Sequence, residues 1–372
     1  MAQTVHIQPV WSLSDRQGHG LSHRLIQLLC EVREHGSLAG ACKITGSSYR
    51  HAWNMIREGE AQLGMALLQM SRGKGSTLTA VAEKLVWAAH RIQARLTPTL
   101  ETLASEIEVE LAKVMSRHDD SLKVHASHGF AVEKMMEALT FKGHTVERKY
   151  VGSLEALAAL AQDQCELAGF HVPIGDFQRP VLEHYAKWLH PQQHRVIHVA
   201  TRRQGLMVAR GNPLGIVGLK DLTRPEVRFI NRQATSGTYF LLRCLLKQAK
   251  IATHRIQGFN QTEHTHAAVA AYVASGMADA GLGVETPSHR YGLDFVPMAS
   301  ERYFLLCDMG KINERHLKAV TDTLRDPGFQ EVINALPGYS ALQCGSVQTL
   351  AQAFPEHFES KSSKKSRPVA KV

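Results

Sequence analysis

The spacing of apolar residues changes once along this chain, near residue 117, and that change limits its possible folds more than any other feature. Before it, apolar residues recur at helical spacing. Leu21, Leu25, Leu28, Leu29 and Val32 lie on one face of a first helix. His35-Gly36-Ser37 ends that helix and caps a second over Leu38 to Ile44. Thr45-Gly46 makes a tight turn, and Ser47 or Ser48 caps a third helix from about Tyr49 to Leu63, with Trp53 and Ile56 inward. Leu67–Gln69 and Thr77–Thr79 read as two short strands joined by Arg72-Gly73-Lys74-Gly75. Two further stripes, Val81 to Ile92 and Leu100 to Val114, predict a long helix that Pro98 kinks or restarts. It has no core of its own and is expected to pair with a second copy.

After residue 117, short apolar runs alternate with helical ones. Strands are predicted at Leu122–Ala126, Thr145–Tyr150, Glu166–Phe170, Val196–Ala200, Gly205–Ala209, Val227–Ile230, Ala278–Leu282, Asp294–Pro297 and Arg302–Cys307. Helices fall between them and at Leu317–Arg325 and Phe329–Leu336, which predicts an α/β body with parallel sheets. At about 150 residues per domain, 372 residues allow two or three. The divisions expected are 1–79, a linker helix over 80–117, a large body over 118–358 and a basic, disordered tail over 359–372.

Charge follows the same divisions. The net +9 separates into +3 over residues 1–90, +5 over 361–372 and +1 in between. A basic N-terminal module suits nucleic acid. No run of 18 apolar residues exists, so no membrane span is predicted. The first 15 residues do not read as a signal peptide, which makes the cytoplasm the default location. The six cysteines form no CxxC pair and read as reduced core residues.

Helix, short turn, helix and a two-stranded loop make a winged helix-turn-helix, whose second helix enters the DNA major groove. The candidate contacts are Ser37, Ser47, Ser48, Tyr49, Arg50 and His51, with Arg72 and Lys74 on the wing. Arg50 suits bidentate reading of guanine. Residues 21–87 resemble the N-terminal domain of the molybdate-responsive ModE-type regulators, relatives of the LysR-type regulators. The resemblance lies in Gly36-Ser37-Leu38, Ser48-Tyr49-Arg50-His51-Ala52-Trp53 and Leu78-Thr79. The wing here is shorter than the family's glycine-rich stretch.

In the body, Ser127-His128-Gly129, Gly152-Ser153 and Thr235-Ser236-Gly237-Thr238 each close a strand and open a helix. Helix N-termini offer free N–H groups and a positive dipole end, so three of them converging would hold a small anion without a metal. The candidate ligand contacts are Ser127, His128, Ser153, His171, Arg203, Arg232, Thr235, Ser236, Thr238 and His266. Residues 122–340 look like the type 2 periplasmic-binding-protein-like domain attached to such regulators and to some molybdopterin-biosynthesis proteins. The segments carrying this include Ala168-Gly169-Phe170-His171, Asn231 to Thr238 and Ala278-Asp279-Ala280-Gly281-Leu282-Gly283. The family's Gly-Ser-Gly-Thr-Arg is Thr235-Ser236-Gly237-Thr238-Tyr239 here, which removes one fixed charge.

The expected fold class is a mainly α winged helix-turn-helix with a long linker helix, followed by an α/β two-lobed domain. Two strands, near 196–209 and 294–306, should cross between the lobes. The resemblance implies a regulator bound to double-stranded DNA as a homodimer or homotetramer. Its effector would be molybdate, tungstate or formate, its implied targets the genes of molybdenum- or tungsten-dependent formate dehydrogenases, and no cofactor is expected. An anion or molybdopterin carrier is the alternative. An enzyme acting on a cofactor precursor is a distant third, because no GxSxG, P-loop or GxGxxG in strand context occurs. His264 and His266 are closely spaced, but a polar helix start explains them better than a metal does.

Overall fold

The computed structural model describes residues 4–14, 20–71, 75–116 and 121–362. Two compact units are present, one of Gln8–Thr97 and one of Met1–Ile7 with Pro98–Val372.

In the smaller unit, β1 (Leu13–Ser14) pairs antiparallel with β2 (Gly20–Leu21). Helices α1 (His23–His35), α2 (Leu38–Thr45) and α3 (Tyr49–Leu63) follow. Their ends are set by local chemistry. Ser22, Ser37 and Ser48 accept bonds from the N–H groups of Leu25, Gly40 and His51 at 3.3, 3.0 and 3.2 Å. Gly36 and Gly46, with φ of 66° and 65°, close α1 and α2 in the left-handed region that glycine adopts without a Cβ clash. Leu25, Leu28, Leu29, Val32, Leu38, Ala41, Ala52 and Ile56 form the shared core. The strands β3 (Leu68–Ser71) and β4 (Gly75–Leu78) pair as the wing, one or two residues off the predicted bounds.

Helix α4 (Ala80–Ser116) then runs as one element through Pro98, where the sequence predicts a kink or restart. The hydroxyls of Thr97 and Thr102 bond the carbonyls of Gln93 and Pro98, each at 2.8 Å. Ala82 and Val86 sit in the core of the smaller unit. Arg33 pairs with Glu83 at 2.5 Å and lies 3.7 Å over the Trp87 ring. Beyond Pro98 the helix is stitched to an edge strand of the larger unit. Ser105 Oγ donates to Val146 O at 3.0 Å and accepts from Arg148 N at 2.9 Å, while Thr102 Oγ1 accepts from Tyr150 N at 3.3 Å. Leu103, Ile107, Leu111 and Val114 remain exposed.

The larger unit continues as β5 (Leu122–Ala126), α5 (Phe130–Phe141), β6 (Val146–Tyr150), α6 (Ser153–Ala161), β7 (Leu167–Pro173) and α7 (Gln178–Tyr185). Next come β8 (His194–Val208), β9 (Phe229–Arg232), α8 (Gly237–Gln248), β10 (Thr262–Glu263), α9 (His266–Ala274), β11 (Ala280–Val284) and α10 (Thr286–Arg290). It ends with β12 (Asp294–Asp308), α11 (Glu314–Arg325), α12 (Pro327–Asn334), β13 (Tyr339–Ser340), β14 (Val347–Thr349), α13 (Leu350–Ala353) and α14 (Pro355–Ser362). The main sheet order is β10-β9-β11-β8-β12-β7-β5-β6, with β13 and β14 also on β8.

The sheet is mixed rather than parallel. Strands β5, β6 and β7 pair parallel, as do β9, β10 and β11. The crossing strands β8 and β12 run antiparallel to each other, and to β11 and β7 respectively. Each is a single 15-residue strand where the sequence suggests two short ones. They join two lobes. Lobe one packs Met135, Leu139 and Leu305 on one sheet face and Phe170, Phe304 and Phe354 on the other. Lobe two is centred on Phe229, Leu241, Leu242 and Leu282.

Candidate functional site

The cleft is built where three helices start. Helices α5 and α6 begin after Gly129 and Gly152, and neither cap has a side chain to cover the first N–H groups. The neighbouring hydroxyls are used elsewhere. Ser127 Oγ and Ser153 Oγ lie 3.2 and 3.1 Å from Nε2 and Nδ1 of His171, so the two serines hold the imidazole from both sides. Helix α8 starts from lobe two, capped by Ser236 Oγ, which accepts from Tyr239 N at 3.1 Å. A Cβ on Gly237 would stand 3.7 Å from His171 Nδ1 and 4.0 Å from Ser153 Oγ. A Cβ on Gly152 would stand 3.0 Å from Thr235 O. Lobe two therefore touches lobe one at these residues.

Charge enters from the crossing strands. Arg202 Nε donates to Glu301 Oε1 at 2.6 Å, and both side chains are buried. Gln204 Nε2 bridges Glu301 Oε1 and Thr238 Oγ1 at 2.9 and 3.1 Å. Burial opposes the charge on Arg202, but Glu301 and Tyr339 outweigh it and hold the guanidinium above its ordinary range. Arg232 has no such partner. Its Nη2 donates to His264 O at 2.8 Å, while Nη1 is buried without a hydrogen bond. Burial and then Arg202 push its pKa down to about 9, so it remains charged at neutral pH.

The imidazoles are held neutral. Burial, then Arg202 and Arg232, drive His171 well below its ordinary value. Burial and the same two arginines do so for His266, whose Nδ1 accepts from Val284 N at 3.3 Å. Burial and Arg232 lower His128 to about 4. Arg202 is paired with Glu301 and stands at the start of α5, where a Cβ on Gly129 would lie 3.2 Å from its Nη1, while Arg232 keeps a buried Nη1 with no hydrogen bond.

Ser127, His128, Ser153, His171, Arg232, Ser236, Thr238 and His266 thus belong to one region, with Thr235 exposed at its edge. Arg203 does not join it. It alternates outward from its neighbours on β8 and pairs with Glu285, Nε to Oε2, at 2.6 Å. The inward positions are Arg202 and Gln204. Gln204 and Glu301 were not anticipated, nor was Tyr303, whose ring meets His171 edge-on at 4.5 Å. Gly169 is required beneath it, since a Cβ there would overlap the Tyr303 hydroxyl.

In the smaller unit, Ser48, Tyr49, Arg50 and His51 are exposed on the first turn of α3, and Ser37 and Ser47 are half-buried at the helix junctions. Trp53 is half-buried and packs against the core of the smaller unit, stacked on Tyr49 at 6.5 Å. Arg72 and Lys74 lie outside the described residues. Among the described residues, Glu31, Glu34 and His35 on α1 of the smaller unit are the cluster with metal-ligand spacing, with Glu34 and His35 exposed and Glu31 half-buried. Burial raises the thiol pKa of Cys165 and Cys344 to about 12.

These features define a class: a winged helix-turn-helix module joined by a long helix to a two-lobed ligand-binding domain. Residues 134–325, more than half of the chain, match the PBP superfamily domain, and the chain belongs to that superfamily. Residues 23–83 match the family described as bacterial regulatory helix-turn-helix protein, lysR family. The uncharacterized protein YvgK of Bacillus subtilis (strain 168) is 34% identical over 203 residues, 54% of this chain and 64% of that protein. This chain thus spans less than two thirds of YvgK's length. An uncharacterized protein in the ferredoxin 2Fe-2S gene 5′ region of Clostridium pasteurianum is 30% identical over 100 residues, 27% of this chain and 88% of that protein. The crystal structure of CbnR, a LysR family transcriptional regulator, aligns over 80% of this chain and 99% of its own at 20% identity, with a TM-score of 0.37. Among the described residues, no helix is long and apolar enough to cross a membrane.

Proposed function

We propose that this protein is a cytoplasmic LysR-type transcriptional regulator, not an enzyme, whose two-lobed domain senses a small anion. The observation that carries the anion is Arg232, a buried cation whose Nη1 has no hydrogen bond, three residues before Thr235, whose carbonyl meets the start of α6 at Gly152. An oxyanion between the lobes would supply a counter-charge and accept from the N–H groups at that helix start. Molybdate and tungstate are the first candidates, with formate as the alternative, and genes of molybdenum or tungsten enzymes such as formate dehydrogenase are the candidate targets. Only an anion that prefers one lobe arrangement can shift the protein's state on DNA. The exposed stripe Leu103, Ile107, Leu111 and Val114 on α4 supports assembly as a dimer or tetramer.

The test is thermal unfolding of the full chain with molybdate, tungstate, sulfate, phosphate or formate. An anion at 100 times its Kd should stabilise by about 2.7 kcal/mol. No shift with any of the five would refute the anion reading. A gel-shift titration on DNA upstream of its own gene tests the regulator reading against an anion or molybdopterin carrier. Arg50→Ala should weaken binding by about 1–3 kcal/mol and relax specificity. Unchanged affinity and specificity would remove Arg50 from base recognition.

A further inference from the structure

Helix α3 is held by a narrow buried stripe of Ala52, Ile56 and Gly59. Close packing fixes its rotation. A Cβ on Gly59 would overlap Leu25 of α1, and Ile56 lies in the core of the smaller unit. Helix geometry then decides which residues face away from that core. At about 100° per residue, Arg50 and Asn54 stand about 150° and 170° round the axis from the middle of the stripe. Both are exposed. His51 falls about 110° from the stripe and Tyr49 about 50°, so these two lie on the flanks although they share the first turn.

Arg57 lies near the same outward line but is engaged elsewhere. Its Nη1 donates to Glu60 Oε2 at 3.1 Å, and its guanidinium stands 4.7 Å over the Trp53 ring. Glu60 Oε1 in turn accepts from Leu67 N at 2.8 Å and Leu68 N at 3.3 Å, where β3 begins. Trp53 is stacked on Tyr49, so Tyr49, Trp53 and Arg57 form a ladder along one flank. Ala61, the next exposed residue on the outward line, has no polar side-chain atom. Arg50 and Asn54 are the polar pair left facing outward.

We propose that Asn54 reads an adenine beside the guanine read by Arg50; the proposal rests on the DNA-binding reading of the smaller unit. Four residues advance the helix by about 6 Å and bases succeed each other about every 3.4 Å, so the two side chains meet bases within about two pairs of each other. An asparagine amide offers one acceptor oxygen and an NH2 group that donates. Adenine presents the matching N7 acceptor and N6 donor in the major groove. Guanine presents two acceptors there and would set one of them against the amide oxygen, while thymine and cytosine each match only half of the amide.

The test is in vitro selection by the full chain from randomised duplex DNA, with and without molybdate, tungstate, sulfate, phosphate and formate. The native chain should select a guanine whose preference is lost in Arg50→Ala, with an adenine within about two pairs of it. Asn54→Ala should flatten the preference at the adenine alone and weaken binding to the selected site by about 5- to 150-fold. The guanine retained by that variant shows that its helix is folded. Asn54→Arg should exchange the adenine for a second guanine, which a merely structural role would not do. An unchanged motif in Asn54→Ala would overturn the proposal and leave the regulator reading intact. A pool without any preferred sequence from the native chain would refute both.

Discussion

Replacing Glu301 with Gln is the sharpest probe of the cleft's charge balance. Gln keeps the side chain's size and one acceptor oxygen, so Arg202 Nε retains a hydrogen-bond partner. What disappears is the carboxylate that pairs with the buried Arg202 guanidinium. Breaking a buried ion pair from one side costs about 3–5 kcal/mol, and the retained hydrogen bond places this case near 3. At about 2–4 °C per kcal/mol, the melting midpoint of the larger unit should fall by about 6–12 °C. Calorimetry on the full chain reads this directly. The double variant Glu301→Gln with Arg202→Met should recover most of the loss, since one stranded charge is removed with the other. A bound anion should also shrink it. A fall below about 2 °C would refute the reasoning, because Arg202 would then have to be balanced by something other than Glu301.

Two further outcomes follow from the same geometry. His125, His128, His194 and His198 are each lowered to about 4, chiefly by burial. The unfolded chain binds their protons near pH 6.5, so stability is full above that value and is lost as pH falls toward 4, at about 1.4 kcal/mol per pH unit per histidine. Melting midpoints measured from pH 7.5 to 5 should drop steeply below 6.5, and a flat profile would contradict the burial of these rings. Gly169→Ala should cost about 1–3 kcal/mol in denaturant unfolding, because its Cβ would displace Tyr303 and stand 2.8 Å from Ala126 Cβ. Native stability in that variant would show that the Tyr303 ring can move at little cost.

What could be read from the sequence depended on how local the cause was. The caps Ser37 and Ser48 and the stop at Gly46 act within four residues, so the helix-turn-helix was legible down to its N-cap residues. The three helix starts around Ser127, Ser153 and Ser236 were legible for the same reason. The crossing strands were not. Thr201 to Gln204 and Met298 to Glu301 interrupt apolar runs, and the sequence therefore suggests gaps between short strands. Both strands continue through these stretches, with a register shift between Pro297 and Ala299. Arg202, Gln204 and Glu301, which break the strand pattern, form the polar network of the cleft. Local patterning failed where function displaced apolar residues. Choosing Arg203 over Arg202 had a related origin. Strand β8 is buried along nearly its whole length, so alternation along it gives no phase, and only the partner strand shows which arginine turns inward.

The crossing strands also set an order of events during synthesis. Lobe two, from the end of β8 to the start of β12, is one contiguous stretch of chain and can complete its sheet as it emerges. Lobe one cannot. Strand β7 ends at Pro173, yet its antiparallel neighbour spans Glu301 to Leu306 and pairs with Pro173 to Ala168. At about 5–20 residues per second, that edge waits roughly 7–27 s for its partner. During that interval it is open on the ribosome with seven residues that are all buried in the finished protein. A nascent chain stalled between residues 174 and 300 would thus expose an unpaired strand edge of wholly buried residues, which is an aggregation hazard.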